Sequence, residues 1–350
     1  MKTPMKTLLP APAEITRGHA ATPIAFIRAI VLGYRARGMD PANVLRQARI
    51  PQAWLRDPGA RVTAGQMETV SALAMQELDD EALGWFSRRL PWGSYGMLAR
   101  ASLTSPTLEI ALKRWCRHHH LLTDDLALHF EQGRDSATLH IEEARDFGEM
   151  REFCLVSMLR NLLGYACWLL DSRIALTETT LPFPAPVHVD AYPYLFPGPL
   201  RFDAEVASIR FDNRYLGLPP RRDEAALRAM LQRALPLTVR QYRRDRLLVH
   251  SVRQLLAAAP AIAHTAEHVA AQLNLSVRTL HRQLKEEGVS LQKLKNDVRR
   301  EQAIRLLLQT RKPVKQIALA VGFDSEKSFS RAFRGWLGVA PGRFRDGGGG

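Results

Sequence analysis

The sequence predicts an α+β N-terminal domain followed by an all-α C-terminal domain with two helix-turn-helix units joined by a long helix. Three observations predict this. Apolar residues switch between helical and alternating periods over residues 21–236, but keep the helical period over 237–346. One turn-and-cap pattern occurs twice in the C-terminal stretch, at an offset of 49 when the second helices are aligned. The charge is lopsided. Of a net +14, residues 237–350 carry +12, from 21 Lys and Arg against 9 Asp and Glu, while residues 1–236 carry only +2, from 28 against 26. A basic third beside a nearly neutral remainder is the electrostatic footprint of a nucleic-acid module attached to something else.

A chain of 350 residues can bury a core in each of two domains, and 46% apolar with 24% charged residues is a globular composition. No window approaches 18 uninterrupted apolar residues; the best, Leu162 to Leu170, is about half that, so no membrane span is expected. The start, Met1-Lys2-Thr3-Pro4, lacks the apolar stretch of a secretory signal. Cys116, Cys154 and Cys167 are odd in number and scattered, which points to reduced thiols in a cytoplasm. Residues 1–20 read as a flexible tail and 347–350 as a disordered glycine tail.

From Thr22 to about Arg37 the apolar spacing is helical (Ile24, Ile27, Ile30, Val31, Tyr34), and Gly38 ends the helix. Further helices are predicted near Pro41–Arg49, over Gly65–Glu77, and from Ser105-Pro106-Thr107 through Trp115, with the proline in the first turn. Leu126–Glu131 and Ala137–Glu142 alternate, and Gly133-Arg134-Asp135 between them predicts a hairpin. Glu149–Leu170 is a long apolar helix, buried on most sides. The proline-rich stretch 181–220 carries short β-like pieces at Val187–Val189 and Ile209–Phe211, and the domain boundary falls around Pro236–Gln241.

In the C-terminal domain, Thr265 caps a helix presenting Val269, Ala270 and Leu273. Asn274 sits where a turn needs positive φ, and Leu275 anchors it. Ser276 caps a second helix with Leu280 and Leu284 inward, leaving Val277, Arg278, Thr279, His281 and Arg282 outward. That is the face a recognition helix presents to a major groove. The pattern repeats. Val314, Ile317, Ala318 and Val321 follow Pro313, Gly322 makes the turn, and Phe323 anchors it. Ser325 caps a helix with Phe329 and Phe333 inward and Glu326, Lys327, Ser328, Ser330 and Arg331 at its outward surface. The first helices align at an offset of 48, so the second turn is one residue longer. Leu291, Leu294, Val298, Ile304, Leu307 and Leu308 mark a long connecting helix.

The stretches Ala270–Arg282, Ile317–Phe333 and Trp336–Arg345 resemble the DNA-binding domain of the AraC/XylS regulators over roughly residues 245–345. Asn274 departs from the glycine usual at that turn. Less specifically, Gly96-Met97-Leu98, Ser105–Leu112 and Phe196–Asp203 resemble the arabinose-binding-like effector domain of one branch of the family. The resemblance implies a transcription regulator that binds a double-stranded DNA operator, senses a small organic effector and acts with RNA polymerase, activation being the commoner mode. It also leaves room for a homodimer.

Within the first domain, Tyr95, His118, His119, His120 and Arg160 are the candidate polar contacts of an effector, with Phe153, Val156, Leu159, Leu163 and Trp168 as an apolar wall. Arg160 fits a ligand carboxylate or a neighbouring acid. Three consecutive histidines on a helix point about 100° apart, so they do not converge on one ion, and no metal or other cofactor is expected. No G-x-S-x-G, G-x-G-x-x-G, Walker or H-E-x-x-H motif is present, so no catalytic residue is assigned and the chain reads as a regulator and not an enzyme. A ligand-independent architectural DNA binder and an enzyme-like first domain fused to a DNA-binding module are the alternatives.

Overall fold

The computed structural model describes residues 9–233, 247–258 and 265–346, and the chain forms two compact units, 1–243 and 244–350. The boundary expected at Pro236–Gln241 and the glycine tail lie outside the described residues.

In the first unit, β1 (Ala20–Pro23) and β2 (Arg61–Thr63) pair antiparallel. The helix expected from Thr22 therefore begins later, as α1 (Ile24–Ala36). The proline ring pushes the preceding Thr22 out of the helical region, and the pairing of Pro23 with Arg61 of β2 keeps Pro23 itself extended at φ −62°, ψ 141°. Helices α2 (Ala42–Gln47) and α3 (Ala64–Glu77) follow. Thr63 and Gln66 close a reciprocal capping box at the start of α3. The described part of the expected tail is not loose. Ile15 is buried, and its carbonyl accepts from the Thr63 hydroxyl.

Helix α4 (Ser94–Leu103) was not predicted, whereas α5 (Leu108–His119) was. Thr107 caps α5 by accepting from Ile110 N, so Pro106 precedes the cap instead of sitting in the first turn. The hairpin forms as β3 (Leu126–Gln132) and β4 (Ser136–Glu143), with Ala137, Leu139 and Ile141 buried on one face. These strands open a five-stranded sheet of order β3-β4-β7-β5-β6, completed by β5 (Leu176–Thr180), β6 (Leu200–Arg201) and β7 (Ala207–Asp212). Only the β5–β6 pairing is parallel.

Val187–Val189 forms no strand. Val189–Ala191 is a 3-10 turn leading into α7 (Tyr192–Leu195), because Pro182, Pro184 and Pro186 lack the N–H donors a ladder needs. Gly198 takes φ 135°, and a Cβ there would stand 2.9 Å from the Leu176 carbonyl oxygen, so the residue beside β6 must be glycine.

Helix α6 (Arg151–Leu170) runs through the core with sixteen of its twenty residues buried. By length and composition the stretch Gly148–Leu170 could cross a membrane, but 89% of its most apolar window is buried inside the fold, as in the core helix of a globular domain. Arg222 clamps its end, donating to the Trp168 carbonyl at 2.8 Å and the Asp171 carboxylate at 2.6 Å. The last described helix of this unit is α8 (Glu224–Leu231).

The second unit is all α among its described residues: α9 (Leu247–Ala258), α10 (Ala266–Gln272), α11 (Val277–Glu286), α12 (Leu291–Gln309), α13 (Val314–Ala320), α14 (Glu326–Leu337) and α15 (Pro341–Asp346). It holds two apolar clusters, and α12 belongs to both. Leu291, Leu294 and Val298 pack with Val269, Ala270, Leu280 and Leu284; Ala303 and Leu307 pack with Ile317, Ala318, Phe329 and Phe333. Leu308, one of the apolar residues that mark this helix in the sequence, is exposed; the small Ala303 is buried in its cluster, four residues before Leu307 on the same helix face.

Candidate nucleic-acid interface and ligand clefts

The two helix-turn-helix units share one backbone device. Asn274 and Gly322 are left-handed at φ 54° and 82°. The next residue in each case returns its N–H to the carbonyl five back, Leu275 to Ala270 at 2.8 Å and Phe323 to Ala318 at 2.9 Å. This closes the first helix with a Schellman motif. Thr265, Ser276 and Ser325 then cap α10, α11 and α14 by accepting from His268 N, Thr279 N and Ser328 N. The second turn is one residue longer, as the sequence spacing predicts.

On α11, Arg278, His281 and Arg282 are exposed together. Arg282 meets Glu286 at 3.5 Å with both side chains 62% exposed, a pairing too solvated to hold it against a better partner. Val277 is not outward. It is half-buried against the first cluster, because 277, 280 and 284 fall on one helix face. Leu275 is half-buried and lies outside that cluster, so it closes the turn through its backbone and does not anchor it in the core. The hydroxyls of Ser276 and Thr279 engage each other at 2.8 Å.

On α14, Glu326, Lys327 and Arg331 are exposed, and Ser328 and Ser330 are half-buried, Ser328 accepting from the Ser325 hydroxyl at 3.0 Å. Phe323 does anchor its turn, against Phe329 and Trp336, with the Arg299 guanidinium of α12 5.2 Å from its ring centre. The nineteen residues of α12 span about 28 Å at the helical rise, and their packing into both clusters ties the two units to one rod.

Among the described residues of the first unit, α6 contributes to the walls of a larger and a smaller cleft. The larger, of about 840 Å³, lies between α1, α2 and the start of α6, and Phe26, Arg28, Glu152 and Phe153 are among its walls. The smaller, of about 280 Å³, is lined by Arg160, Leu163, Gly164 and Cys167 of α6 and by the 173–176 and 197–198 segments. Of the five predicted polar contacts, Arg160 lines the smaller cleft. It donates to the Leu195 carbonyl at 2.8 Å, and burial pushes its guanidinium down to about 10.

Tyr95 and His119 come together elsewhere, in the core, with ring centres 6.1 Å apart. His119 is fully buried, neither ring nitrogen has a hydrogen-bond partner among the described residues, and burial lowers its pKa to about 4. The Tyr95 hydroxyl donates to Met158 Sδ at 3.3 Å. His118 is half-buried and His120 is exposed at the end of α5, so the three histidines diverge. No group of three His, Cys, Asp or Glu among the described residues could hold a metal ion.

Of the expected apolar wall, Phe153 lines the larger cleft and Leu163 the smaller, while Val156, Leu159 and Trp168 are buried. Arg28 and Glu152 escaped the sequence reading. Arg28 is a charged residue in an apolar helical run, as Arg160 is, whereas Glu152 stands in the charged first turn of α6 beside Arg151, where no such signal marks it.

Two capped recognition helices on a shared rod, in a strongly basic unit, define a DNA-binding protein. The family described as the arabinose-binding domain of AraC transcription regulator, N-terminal, matches residues 38–220, and a helix-turn-helix domain family matches 269–347. The ornithine utilization regulator of Pseudomonas aeruginosa is 26% identical over 327 residues, 93% of this chain and 96% of its own. The transcriptional activator RhaS of Klebsiella pneumoniae is 43% identical over 82 residues, 23% of this chain and 30% of its own. The solved structure of the transcriptional regulator CdpR from Pseudomonas aeruginosa aligns over 92% of this chain and 98% of that one at 18% identity, with a TM-score of 0.33. The chain belongs to the AraC family of transcription regulators, with an arabinose-binding-like N-terminal domain and a DNA-binding helix-turn-helix domain.

Proposed function

We propose that the chain is an effector-responsive activator, with residues 21–236 as the sensing domain and 237–346 as the operator-reading domain. The observation that carries the sensing half is the 840 Å³ cleft, which is of small-molecule size and sets six charged side chains (Arg28, Arg35, Arg56, Asp40, Glu149 and Glu152) among apolar ones. In the second unit, Arg278, His281 and Arg282 read bases from one helix and Lys327, Ser328 and Arg331 from the other, with Ser276, Thr279, Glu326 and Ser330 at the edges of the contact and Val277 supporting it from behind. Arginine supplies a bidentate fork for guanine. The two helices enter successive major grooves about 34 Å apart on one face of the duplex.

The protein acts in the cytoplasm, where its operator is, without catalysing a reaction, and RNA polymerase and a second copy of the chain are its protein partners. An effector works only through a difference in its affinity for two states of the protein, and by linkage operator DNA changes effector affinity by the same factor. The test is transcription from the operator, together with operator affinity, across a broad metabolite panel. A compound that changes both supports sensing; a panel that changes neither contradicts it.

A further inference from the structure

We propose that the larger cleft binds a small amphoteric molecule, one ammonium and one carboxylate on a short apolar body, with Glu152 taking the ammonium and Arg28 the carboxylate. The proposal rests on the sensing role of the first domain and names the chemistry of its ligand.

Glu152 is a carboxylate built to stay in place. Its Oε1 accepts from His188 Nε2 at 2.6 Å and from the Tyr192 hydroxyl at 2.7 Å. Both supporting residues are buried, and burial together with the Glu152 charge keeps the Tyr192 phenol protonated as a donor. The second oxygen, Oε2, has no partner among the described residues, on a side chain that is 25% exposed and lines the cleft. Two aromatic rings, Phe26 and Phe153, share that lining and pack 5.2 Å apart. A fixed carboxylate in a lining that also holds aromatic rings favours an ammonium over a neutral or anionic group, chiefly through charge-assisted hydrogen bonding.

The opposite charge is on α1. Arg28 follows Phe26 by two residues, is half-buried in the same lining, and has no hydrogen bond or ion pair among the described residues. A half-buried guanidinium without an acid is suited to a carboxylate, which it can grip with two parallel hydrogen bonds. Ala29, Leu32 and Leu45 supply apolar surface for a body joining the two groups. Arg35, Arg56, Asp40 and Glu149 line the same cleft, which thus carries three basic and three acidic side chains. A lining balanced in this way suits a molecule carrying both charges better than a purely anionic or purely cationic one, and within it Glu152 is the carboxylate held in place and Arg28 the guanidinium on α1 beside Phe26.

The test uses the full chain and a defined set of probes: the twenty amino acids, ornithine and 6-aminohexanoate, with hexanoate and hexylamine as single-charge controls. Thermal shift ranks them and calorimetry measures the best. At least one amphoteric probe should bind, with its matched single-charge analogues at least tenfold weaker. Glu152→Gln should weaken that probe at least tenfold without weakening hexanoate, and Arg28→Gln should weaken it without weakening hexylamine. Circular dichroism of both variants separates loss of the site from loss of the fold, and Arg28→Gln serves if Glu152→Gln unfolds. Silence across the amphoteric set, or equal binding of a probe and its single-charge analogue, overturns the proposal. If some other metabolite alters operator affinity and Glu152→Gln and Arg28→Gln leave that response intact, sensing stands and this site falls alone.

Discussion

Asn274 and Gly322 occupy the same left-handed position in the two turns, and each is followed by a residue whose N–H closes on the carbonyl of an alanine, Ala270 or Ala318. A Cβ in that conformation costs about 1–2 kcal/mol unless the side chain is one, such as asparagine, that tolerates it. Gly322→Ala should therefore destabilise the second unit by about 1 kcal/mol, and Asn274→Gly should be neutral or slightly stabilising. Urea unfolding of the full chain, following the transition of the second unit, checks this. Equal losses from the two substitutions would show that the turns are not equivalent.

Arg282→Ala and Arg331→Ala should each cost roughly 1–3 kcal/mol on the cognate site and relax discrimination at one base position, as expected of a lost bidentate contact. The comparison that decides is between cognate and random DNA. A uniform loss on both would make these residues phosphate contacts that position the protein without reading sequence.

His119 carries a pH signature. Burial, and secondarily the charge of neighbouring His120, lowers its pKa from 6.5 to about 4. The unfolded chain therefore binds a proton here between about pH 6.5 and pH 4 that the fold refuses. Its contribution to stability is complete above pH 6.5 and is lost as the pH falls toward 4, by at most about 3 kcal/mol at 1.36 kcal/mol per unit. His119→Leu should flatten the slope of stability against pH across that window. A slope unchanged in the variant would assign the acid loss to other groups.

The second unit was legible because its signals are local. Caps at Ser276 and Ser325, a left-handed residue at Asn274 and Gly322, and apolar pairs at i, i+4 each act within one or two turns of chain. The misplaced Val277 was within reach, since it lies three residues from Leu280 and seven from Leu284 on one helix face. The first unit hid more. Strand β5 is Leu-Thr-Glu-Thr-Thr, with one apolar side chain, and it is made a strand by partners far along the chain in β6 and β7. The cleft is less legible still, because Arg28 and Glu152 meet only through the packing of α1 beside α6, which no local pattern encodes.

The central claim is that two recognition helices on one rod read one face of DNA. Its most direct test is selection of binding sites from random duplex DNA by the full chain, followed by footprinting on the selected site. Two protected major-groove segments centred about 10–10.5 base pairs apart are predicted, the first lost on Arg282→Ala and the second on Arg331→Ala. A single protected segment, or no sequence enrichment over the starting pool, would contradict it.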